Sequence, residues 1–505
     1  MSGMTLVGVG GARRNACAAV CVDGDDVAAC EQERLTRTRR AGCGDAGWPE
    51  AAVDEVLALA ERRPGDVGHY VFAESGVQPP PQAARVSVQH HRAHAATAWL
   101  AAAHAAATIV VCDTSGAREV SVWRGTGNRL DELFCHWRGP GFATLYSDCA
   151  TVFGFTGPGR ERQLEAAAHL GSGLRAEQLR ELFQGDTTSL RVAPDWQARL
   201  HAMVADERQR SGGDAVEMAS AVQCRIGELL LAFLQTVRAA VDDDVLCLGG
   251  GLFYNTYFTT LVRRANLFAD VVVPINPGNA GNAVGAALLV GLHRGLRPAR
   301  PVSPFLGAAY DAHAIKATLD ACKLSYSFAS PAGVLDATAD ALLHGHMVGW
   351  FHGRMEWGHK ALGHRSILAD PRSPYVLDNL NVYLRKRERS HPFGLSVTTS
   401  SMAGRLCGPP ESPFMQYEYE TRGDTFRHVL PAGARTIRVQ TVAPDSGPFS
   451  ALLARMEQAT GVGALVNTSL NGFHEPIACT PRDAIRVFYG TGLDMLVLDQ
   501  FILRK

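Results

Sequence analysis

The most informative segment of the chain reads GRMEWGHKALGHRSILADPR, from residue 353 to residue 372. Its basic side chains stand among glycines and small residues, and Ser366 directly follows Arg365. Guanidinium groups form forked, charge-assisted hydrogen bonds with phosphate oxygens. A solvated surface loop can carry the same charges, but the apolar residues between them require part of this segment to be packed. The segment therefore indicates a binding site for an oxygen-rich anion, with the basic residues Arg354, Lys360, Arg365 and Arg372.

The composition sets limits on the size and class of the protein. A chain of 505 residues is too long for one ordinary hydrophobic core, so we expect two or more domains. Hydrophobic residues make up 46% and charged residues 20%, which is typical of globular proteins. Lys and Arg total 49 and Asp and Glu total 50. This balance argues against a nucleic-acid-binding surface over the whole protein, while it allows a local basic pocket.

The cysteine pattern and the apolar runs bear on the cellular compartment. The 12 cysteines are scattered and include no Cys-x-x-Cys pair, which favours reduced thiols over a disulfide scaffold. No apolar run reaches the roughly 18 residues of a membrane span. The N-terminus lacks the pattern of a secretory signal. We therefore expect a cytoplasmic protein that does not bind membranes.

Apolar periodicity predicts alternating strands and helices in the first 300 residues. This alternation is typical of an α/β protein. Two hairpin-rich halves, each with a glycine turn after a strand, favour an actin-like ATPase fold. The predicted strands lie at residues 5–10, 16–22, 27–31, 70–73, 85–88, 108–112, 120–124, 245–248 and 271–274, and the predicted helices at residues 51–62, 90–107, 218–241 and 280–292.

A proline-rich segment at residues 295–304 predicts a linker. Beyond it, the pattern predicts further helices and strands that alternate to Leu503. The sequence thus predicts two units, residues 1–300 and residues 305–505, and shows no internal repeat. The elements expected around the basic segment are a helix at 333–344, a strand at 347–351 and a helix at 376–385.

Two histidines in the first unit have the spacing of metal ligands. His90 and His94 stand at i and i+4, on one face of the predicted helix. Such a pair is more often structural, but Asp113 closes the next strand, and carboxylate joins imidazole in transition-metal sites. A glycine turn at residues 249–251 follows a predicted buried strand and precedes Asn255. Its free N–H groups can face a phosphate, although a plain tight turn is the alternative.

The segment at 353–372 resembles the Gly-Arg-Met-Glu-Phe-Gly-Pro-Arg-Ala-Leu-Gly-Asn-Arg-Ser signature of the NodU/CmcH family of carbamoyltransferases. Members of that family place a carbamoyl group on hydroxyls of antibiotics, Nod factors and toxins. The resemblance extends along nearly the whole chain. It implies an actin-like, TsaD-like transfer domain in residues 1–300. It also implies a YrdC-like α/β domain in residues 305–505 that makes carbamoyl-adenylate from carbamoyl phosphate and ATP, with Mg²⁺ accompanying the ATP.

In the first domain the resemblance implies an iron-type metal ion, Fe²⁺ or a similar divalent transition metal, and a nucleotide turn. The implied metal ligands are His90, His94, Asp113 and, in place of the family's aspartate, Asn279. The implied nucleotide turn comprises Gly249, Gly250, Gly251 and Asn255. The family's His-Asp pair is replaced by Arg14 and Asn15, and its lysine in a later motif by Gln163. Arg14 can still bind phosphate, and His91 is the candidate for proton transfer.

In the second domain the resemblance implies a pocket for carbamoyl phosphate and ATP. Two family motifs differ here, because residues 432–435 replace a His-x-Asp-Gly motif and the run from His391 replaces Arg-Pro-Phe-Ala-Pro. The residues that match the family pattern are Arg354, Lys360, Arg365, Ser366, Lys386, Arg438, Asn467, Ser469 and Asn471.

The expected function is an ATP-dependent O-carbamoyltransferase of specialised metabolism, such as antibiotic biosynthesis. Its expected partners are ATP, carbamoyl phosphate and a small-molecule acceptor, with no nucleic acid or membrane, and it is expected to be a monomer or homodimer. One alternative is an N-carbamoyltransferase, because an amine needs less help from a base. Another is a catalytically weak nucleotide-binding homologue that regulates or completes a partner enzyme. The residues do not identify the acceptor.

Overall fold

The computed structural model describes residues 4–44, 47–74, 84–100, 102, 104–116, 118–133, 137–186, 188–298 and 301–505. The predicted helix at 90–107 and the predicted linker at 295–304 each include positions outside these ranges, namely 101 and 103, and 299 and 300. The helices are α1 Gln32–Thr36, α2 Glu50–Leu59, α3 His90–Leu100, α4 Phe142–Val152, α5 Arg160–Ala168, α6 Trp196–Ser211, α7 Val216–Ala240, α8 Thr256–Arg264, α9 Asn282–His293, α10 Ala312–Ala321, α11 Pro331–Leu343, α12 Thr399–Met402, α13 Pro448–Thr460 and α14 Pro481–Gly490.

The first sheet has five strands in the order β3-β2-β1-β4-β5. Strands β1, β2 and β3 pair antiparallel, whereas β4 pairs parallel to β1 and β5 parallel to β4. Strand β1 is buried along its whole length, which explains its continuous apolar run. The bounds are β1 Thr5–Gly10, β2 Cys17–Val22, β3 Asp25–Glu31, β4 Val67–Phe72 and β5 Arg85–Ser87.

The second sheet repeats this topology with the order β8-β7-β6-β11-β12. Its first three strands are again antiparallel and the last two parallel. Two sheets of identical order and direction are the duplicated arrangement of actin-like ATPases, so the predicted fold is confirmed. The strands of this region, including the separate β9-β10 hairpin, are β6 Ala106–Cys112, β7 Val120–Thr126, β8 Arg129–Leu133, β9 Phe183–Gly185, β10 Leu190–Val192, β11 Val245–Gly249 and β12 Asp270–Val272.

Helices α3 and α9 lie between these two sheets. Helix α9 packs on β1 and β2, helix α3 packs on β6 and β11, and the two helices pack on each other. Their close approach depends on Gly285, where a Cβ atom would lie 2.2 Å from the Ala93 carbonyl oxygen. This packing places the N-terminal turn of α3, with both predicted histidine ligands, at the carboxyl ends of β6 and β11.

The third sheet has ten strands and builds the remainder of the chain. Its order is β13-β22-β21-β14-β15-β20-β16-β19-β18-β17. Helices α11 and α13 cover it with a buried apolar cluster that includes Trp350 and Leu452. The strands are β13 Ser327–Phe328, β14 Val348–Phe351, β15 Arg365–Ala369, β16 Gly394–Thr398, β17 Leu406–Cys407, β18 Tyr417–Thr421, β19 Thr436–Val442, β20 Ala464–Ser469, β21 Met495–Leu498 and β22 Phe501–Arg504.

Helix α1 joins the first sheet to the third-sheet region. The Arg34 guanidinium donates to the Gly358 carbonyl at 2.6 Å, and the Gly358 N–H donates to the Glu31 carboxylate at 2.6 Å. Arg37 donates to the carbonyls of Pro476 and Ile477 at 2.8 and 2.7 Å. These bonds hold the basic segment against the two-sheet region. The boundary predicted between residues 300 and 305 stays a prediction.

Most predicted elements are present, and two differ in a way that affects the site. The predicted helix at 90–107 ends at Leu100, because residues from Ala106 onward pair with β7 and β11 as strand β6. The predicted helix at 376–385 is a π-helix, Asp378–Leu384. Among the residues that the structure describes, no helix is both long and apolar enough to span a bilayer.

Candidate active site

A cavity of about 750 Å³ lies between the two-sheet region and the third-sheet region. From the two-sheet region it is lined by Asp113 at the end of β6 and by Gly251 after β11. From the third-sheet region it is lined by Lys360 and Ser469, among others. Because both regions contribute walls, a molecule in this cavity touches both at once.

The predicted metal ligands His90, His94 and Asp113 come together, and Asp113 lines this cavity. Their nearest ligand atoms all lie within 4.8 Å of one another. The two Nε2 atoms are 3.2 Å apart, and the Asp113 carboxylate lies 3.6 Å from His90 Nε2 and 3.5 Å from His94 Nε2. All three side chains are buried. Two imidazoles and one carboxylate converging in this way match the ligand chemistry of a divalent transition metal.

The glycine turn after β11 holds Asp113 in place. Gly250 has φ of +98°, and a Cβ atom there would lie 2.2 Å from the Cys112 carbonyl oxygen, so only glycine fits. The next residue, Gly251, donates its N–H to Asp113 at 2.8 Å, and the Ser115 N–H donates at 3.0 Å. The turn therefore positions Asp113, a predicted metal ligand, and the sequence reading as a nucleotide turn did not anticipate this contact.

Electrostatics favour the metal-binding protonation states of His94 and Asp113, whereas at His90 burial acts to lower the pKa but the Asp113 carboxylate outweighs it and raises that pKa above its ordinary value. Burial lowers the pKa of His94 to about 3, so its imidazole is neutral. Burial acts to raise the pKa of Asp113, but His90, His94 and the Gly251 N–H outweigh it and hold that pKa below its usual range. A neutral imidazole and an ionised carboxylate are the forms that coordinate a metal ion.

Two further side chains lie close to the triad. Asn279, the predicted fourth ligand, lines the cavity in a short 3-10 turn before α9, and its Oδ1 atom is buried without a hydrogen-bond partner. An orphaned amide oxygen fits the role of a neutral ligand. Glu74, which the sequence reading missed, places a carboxylate oxygen 3.7 Å from His90 Nδ1. Nothing in the local sequence marks Glu74, because the fold alone brings it to α3.

Both ring nitrogens of His91, the predicted proton-transfer residue, lie within hydrogen-bond distance of protein groups. Its Nδ1 lies 2.7 Å from the Ser121 hydroxyl, and its Nε2 lies 2.9 Å from the Ser115 carbonyl oxygen. Burial lowers its pKa to about 4. Both ring nitrogens are engaged and the residue does not line the 750 Å³ cavity, so His91 supports the loop beside the triad.

Cations from both halves of the chain line the cavity. Among the described residues, no side-chain hydrogen bond or ion pair reaches Lys360 or Arg162. Burial, and then the neighbouring guanidinium groups of Arg385 and Arg162, lower the pKa of Arg387 to about 8. A guanidinium stays protonated in proteins, and a bound anion would offset both its burial and the repulsion from its neighbours. The cationic cluster comprises Arg162, Lys360, Arg385 and Arg387, all of which line the cavity.

Arg354 and Arg365, two of the predicted phosphate ligands, face the protein instead. Arg365 is fully buried over the Phe351 ring and donates four hydrogen bonds to backbone carbonyls. Arg354 donates to the carbonyls of Val27, Leu306 and Gly307. These two arginines support the backbone of the basic segment, and neither lines the cavity.

Three other predicted ligands in this half are also displaced from the cavity. Ser366 is buried and accepts from the Gly363 N–H, and Asn467 is buried and donates to Ser396. Lys386 is exposed, while Arg385 and Arg387 on either side of it face the cavity. Lys386 was selected because it matches the family pattern, and its role in binding stays a prediction.

The remaining predicted residues lie at or near the cavity. Ser469 and Asn471 line it, and Arg385 donates to the backbone of both. Arg438 bridges the two regions through an ion pair with Glu165 at 3.1 Å and a hydrogen bond to Thr256. Asn255, Arg14 and the substituted positions Asn15 and Gln163 also line the cavity. Gly249 lies behind it, packed against the His94 backbone.

The fold and this cavity define an α/β protein in which an actin-like half and a second α/β half share one binding site. Residues 81–288 match the family described as Carbamoyltransferase N-terminus, and residues 339–505 match Carbamoyltransferase C-terminus. An uncharacterized protein of Synechocystis, sll1178, is 30% identical over 469 residues, which cover 83% of this chain and 76% of that protein. The chain belongs to the carbamoyltransferase family and is an enzyme of that class.

Two other similar proteins match this chain over about half of their own length. The nodulation protein NolO of Bradyrhizobium diazoefficiens is 31% identical over 299 residues, 57% of this chain and 54% of that protein, so the chain spans about half of NolO. Among solved structures, HypF of T. kodakarensis aligns over 59% of this chain and 49% of its own, with a TM-score of 0.40 and 13% identity.

Proposed function

We propose that the enzyme makes carbamoyl-adenylate from carbamoyl phosphate and ATP, and then transfers the carbamoyl group to a hydroxyl of a specialised metabolite. The first step consumes one water and releases phosphate and pyrophosphate. In the second step an acceptor oxygen bonds to the carbamoyl carbon, and AMP leaves with the electron pair of the broken bond. The supporting observation is the shared cavity, because the cationic cluster and Asp113 of the triad line the same space.

The cationic cluster would bind the phosphate groups. Charge-assisted hydrogen bonds to phosphate are strong, and in a water-poor site they are stronger still. Lys360 lines the cavity, and among the described residues none forms a hydrogen bond or ion pair with its ammonium group. Burial lowers the pKa of Lys360 well below its ordinary value, and a bound phosphate would favour its charged form. Arg385 would act with Ser469 and Asn471, whose backbone it contacts. Mg²⁺ would accompany the ATP.

The triad would hold the metal ion. His90, His94 and Asp113 supply three ligands, and the orphaned Asn279 oxygen supplies a fourth. Asn279 carries no charge, so the ligand set has one negative charge, from Asp113. Fe²⁺ or a similar divalent ion bound there would supply Lewis acidity at the carbamoyl oxygen. Arg14, on the cavity wall, would contact the phosphate of the adenylate.

One shared cavity also suits the chemistry of the intermediate. Carbamoyl-adenylate is a mixed anhydride, and exclusion of bulk water protects such a species from hydrolysis. The walls from both halves allow the acceptor to meet the adenylate without its release to solvent. The small-molecule acceptor would therefore enter this same cavity.

The test is mass spectrometry of the enzyme incubated with ATP, Mg²⁺ and carbamoyl phosphate. We expect carbamoyl-adenylate and pyrophosphate, and we expect Lys360→Met to reduce their formation roughly ten-fold to 100-fold through loss of one charged phosphate contact. The matched control is Lys316→Met, since Lys316 is exposed on α10 and paired with Asp320. Absence of both products from folded enzyme, or full activity of Lys360→Met, would contradict the proposal.

A further inference from the structure

His359 is a cavity residue that neither the triad nor the cationic cluster explains. It immediately precedes Lys360, and its ring packs edge-on against Tyr254 with ring centroids 4.4 Å apart. Tyr254 in turn lies against Gly278, beside Asn279. His359 thus stands on the cavity wall between the cations and the triad, where the phosphate and the reacting carbamoyl group of a bound adenylate would meet.

The His359 imidazole has no partner for either ring nitrogen. Among the described residues, three histidines line the cavity, His359, His391 and His474, and of these only His359 has both nitrogens buried without a hydrogen bond. A neutral imidazole has one donor and one acceptor. Leaving both buried and unsatisfied is unfavourable, so native proteins rarely do this without a ligand or ordered water. The site is therefore built to receive a molecule that both donates and accepts.

Several other candidates for a base, in this cavity or beside it, are already committed. Glu31 is bonded to Arg34 and to a backbone N–H, and Glu165 is paired with Arg438. His91 has both ring nitrogens engaged outside the cavity. These groups cannot accept a proton without losing a buried partner, whereas His359 can.

The charge around His359 keeps it in the form a base requires. Burial lowers the pKa of His359 well below its ordinary value, and the positive charges of Lys360, Arg162, Arg438 and Arg34 lower it further. The resting imidazole is therefore neutral. An anion bound to the same cations offsets their charge, which makes the imidazole a stronger base when the adenylate is present.

We propose that His359 is the general base of the transfer step, an inference that rests on the proposed function. The acceptor hydroxyl gives its proton to a ring nitrogen of His359 as its oxygen bonds to the carbamoyl carbon. The bond from that carbon to the phosphate oxygen breaks, and AMP leaves with the electron pair. The imidazolium then releases the proton to solvent, which returns it to the neutral form.

The experiment separates the two half-reactions and uses water as the acceptor probe. Enzyme is mixed with ATP, Mg²⁺ and carbamoyl phosphate, and the burst of pyrophosphate and the later release of AMP are followed separately. We expect His359→Gln to keep the pyrophosphate burst and to slow AMP release by roughly 100-fold, the usual contribution of a general base. Hydroxylamine, a nucleophile that needs no base, should restore rapid AMP release. The matched control is His344→Gln on the exposed end of α11.

A second variant keeps the test decisive if glutamine disturbs the wall. His359→Ala leaves space for free imidazole, which should restore AMP release in that variant and not in His359→Gln, where the glutamine side chain occupies the space. If His359→Gln releases AMP at a rate close to that of the unmodified enzyme, His359 is not the general base. An equal loss of burst and AMP release, or no rescue by imidazole, would refute that role also and would make His359 a structural residue. Absence of a pyrophosphate burst from the unmodified enzyme would instead refute the proposed function itself, and this proposal with it.

Discussion

Replacement of Arg365 by methionine tests whether this arginine holds the fold or binds phosphate. Its four hydrogen bonds reach the carbonyls of Ala308, His352, Gly353 and His364 at 2.8–3.1 Å. Methionine retains most of the volume and removes every donor. The carbonyls of Ala308 and His364 keep backbone donors, from Met355 and His352. The carbonyls of His352 and Gly353 are left unsatisfied, at a cost of about 1–3 kcal/mol each. Relief from burying a cation offsets part of that cost, so we expect Arg365→Met to lower the free energy of unfolding by about 1–3 kcal/mol.

The assay is urea unfolding followed by tryptophan fluorescence, because Trp350 and Trp357 are buried on either side of Gly353, where the basic segment begins. With a slope of about 3 kcal/mol per molar urea, a loss of about 1–3 kcal/mol shifts the midpoint by up to about 1 M. The control is Arg372→Met, since Arg372 is partly exposed and pairs only with Asp370 among the described residues. That variant should change stability by less than about 1 kcal/mol.

The result that would refute this reasoning is specific. If Arg365→Met unfolds at the same urea concentration as the unmodified enzyme and yet fails to form carbamoyl-adenylate, then Arg365 contacts phosphate in the working enzyme. The original sequence prediction would then be correct, and the hydrogen bonds to the four carbonyls would not be those of the active state. Activity measured below the unfolding transition distinguishes the two cases.

Two further substitutions test the triad. Gly250→Ala should destabilise the enzyme by about 1–3 kcal/mol and lower its metal content, because a Cβ atom cannot fit 2.2 Å from the Cys112 carbonyl oxygen at φ of +98°. The control is Gly212→Ala. Gly212 has φ of +69° with open space around it, so this variant has the backbone strain alone and should retain metal. His90→Ala should reduce bound divalent metal and carbamoyl transfer while sparing adenylate formation, as measured by elemental analysis and the two half-reactions. Survival of both half-reactions in His90→Ala would contradict the metal role.

The first half of the fold was predictable because its signals are local. Apolar runs marked β1, β2 and β11, and the long amphipathic pattern marked α7. The two hairpin-rich halves, each with a glycine turn after a strand, indicated the duplication, while the shared strand order is visible only in the structure. The clustering of His90, His94 and Asp113 was predictable for a related reason. His90 and His94 lie one helical turn apart, and Asp113 ends a strand, so spacing alone brought two ligands together and topology supplied the third.

The phosphate site was harder to predict, because a basic residue shows its charge but not its direction. Lys360 and Arg365 belong to one short segment, yet Lys360 faces the cavity and Arg365 faces four carbonyls. The turns at Gly358 and Gly363, both with positive φ, decide this difference. Arg162 comes from a helix in the other half of the chain, where no pattern marked it. Such residues become visible only when the halves are assembled.

The substitutions peculiar to this chain are concentrated where its halves meet. Arg14 and Asn15 replace a His-Asp pair on the two-sheet wall, and on the opposite wall His359 occupies a position where the family signature has proline. A proline has no group that can accept a proton, whereas an imidazole has one. If the acceptor is a hydroxyl, a base must face the cavity. If His359 is that base, it lies on the third-sheet wall of the cavity, whereas the resemblance places the family's His-Asp pair at Arg14 and Asn15 on the two-sheet wall.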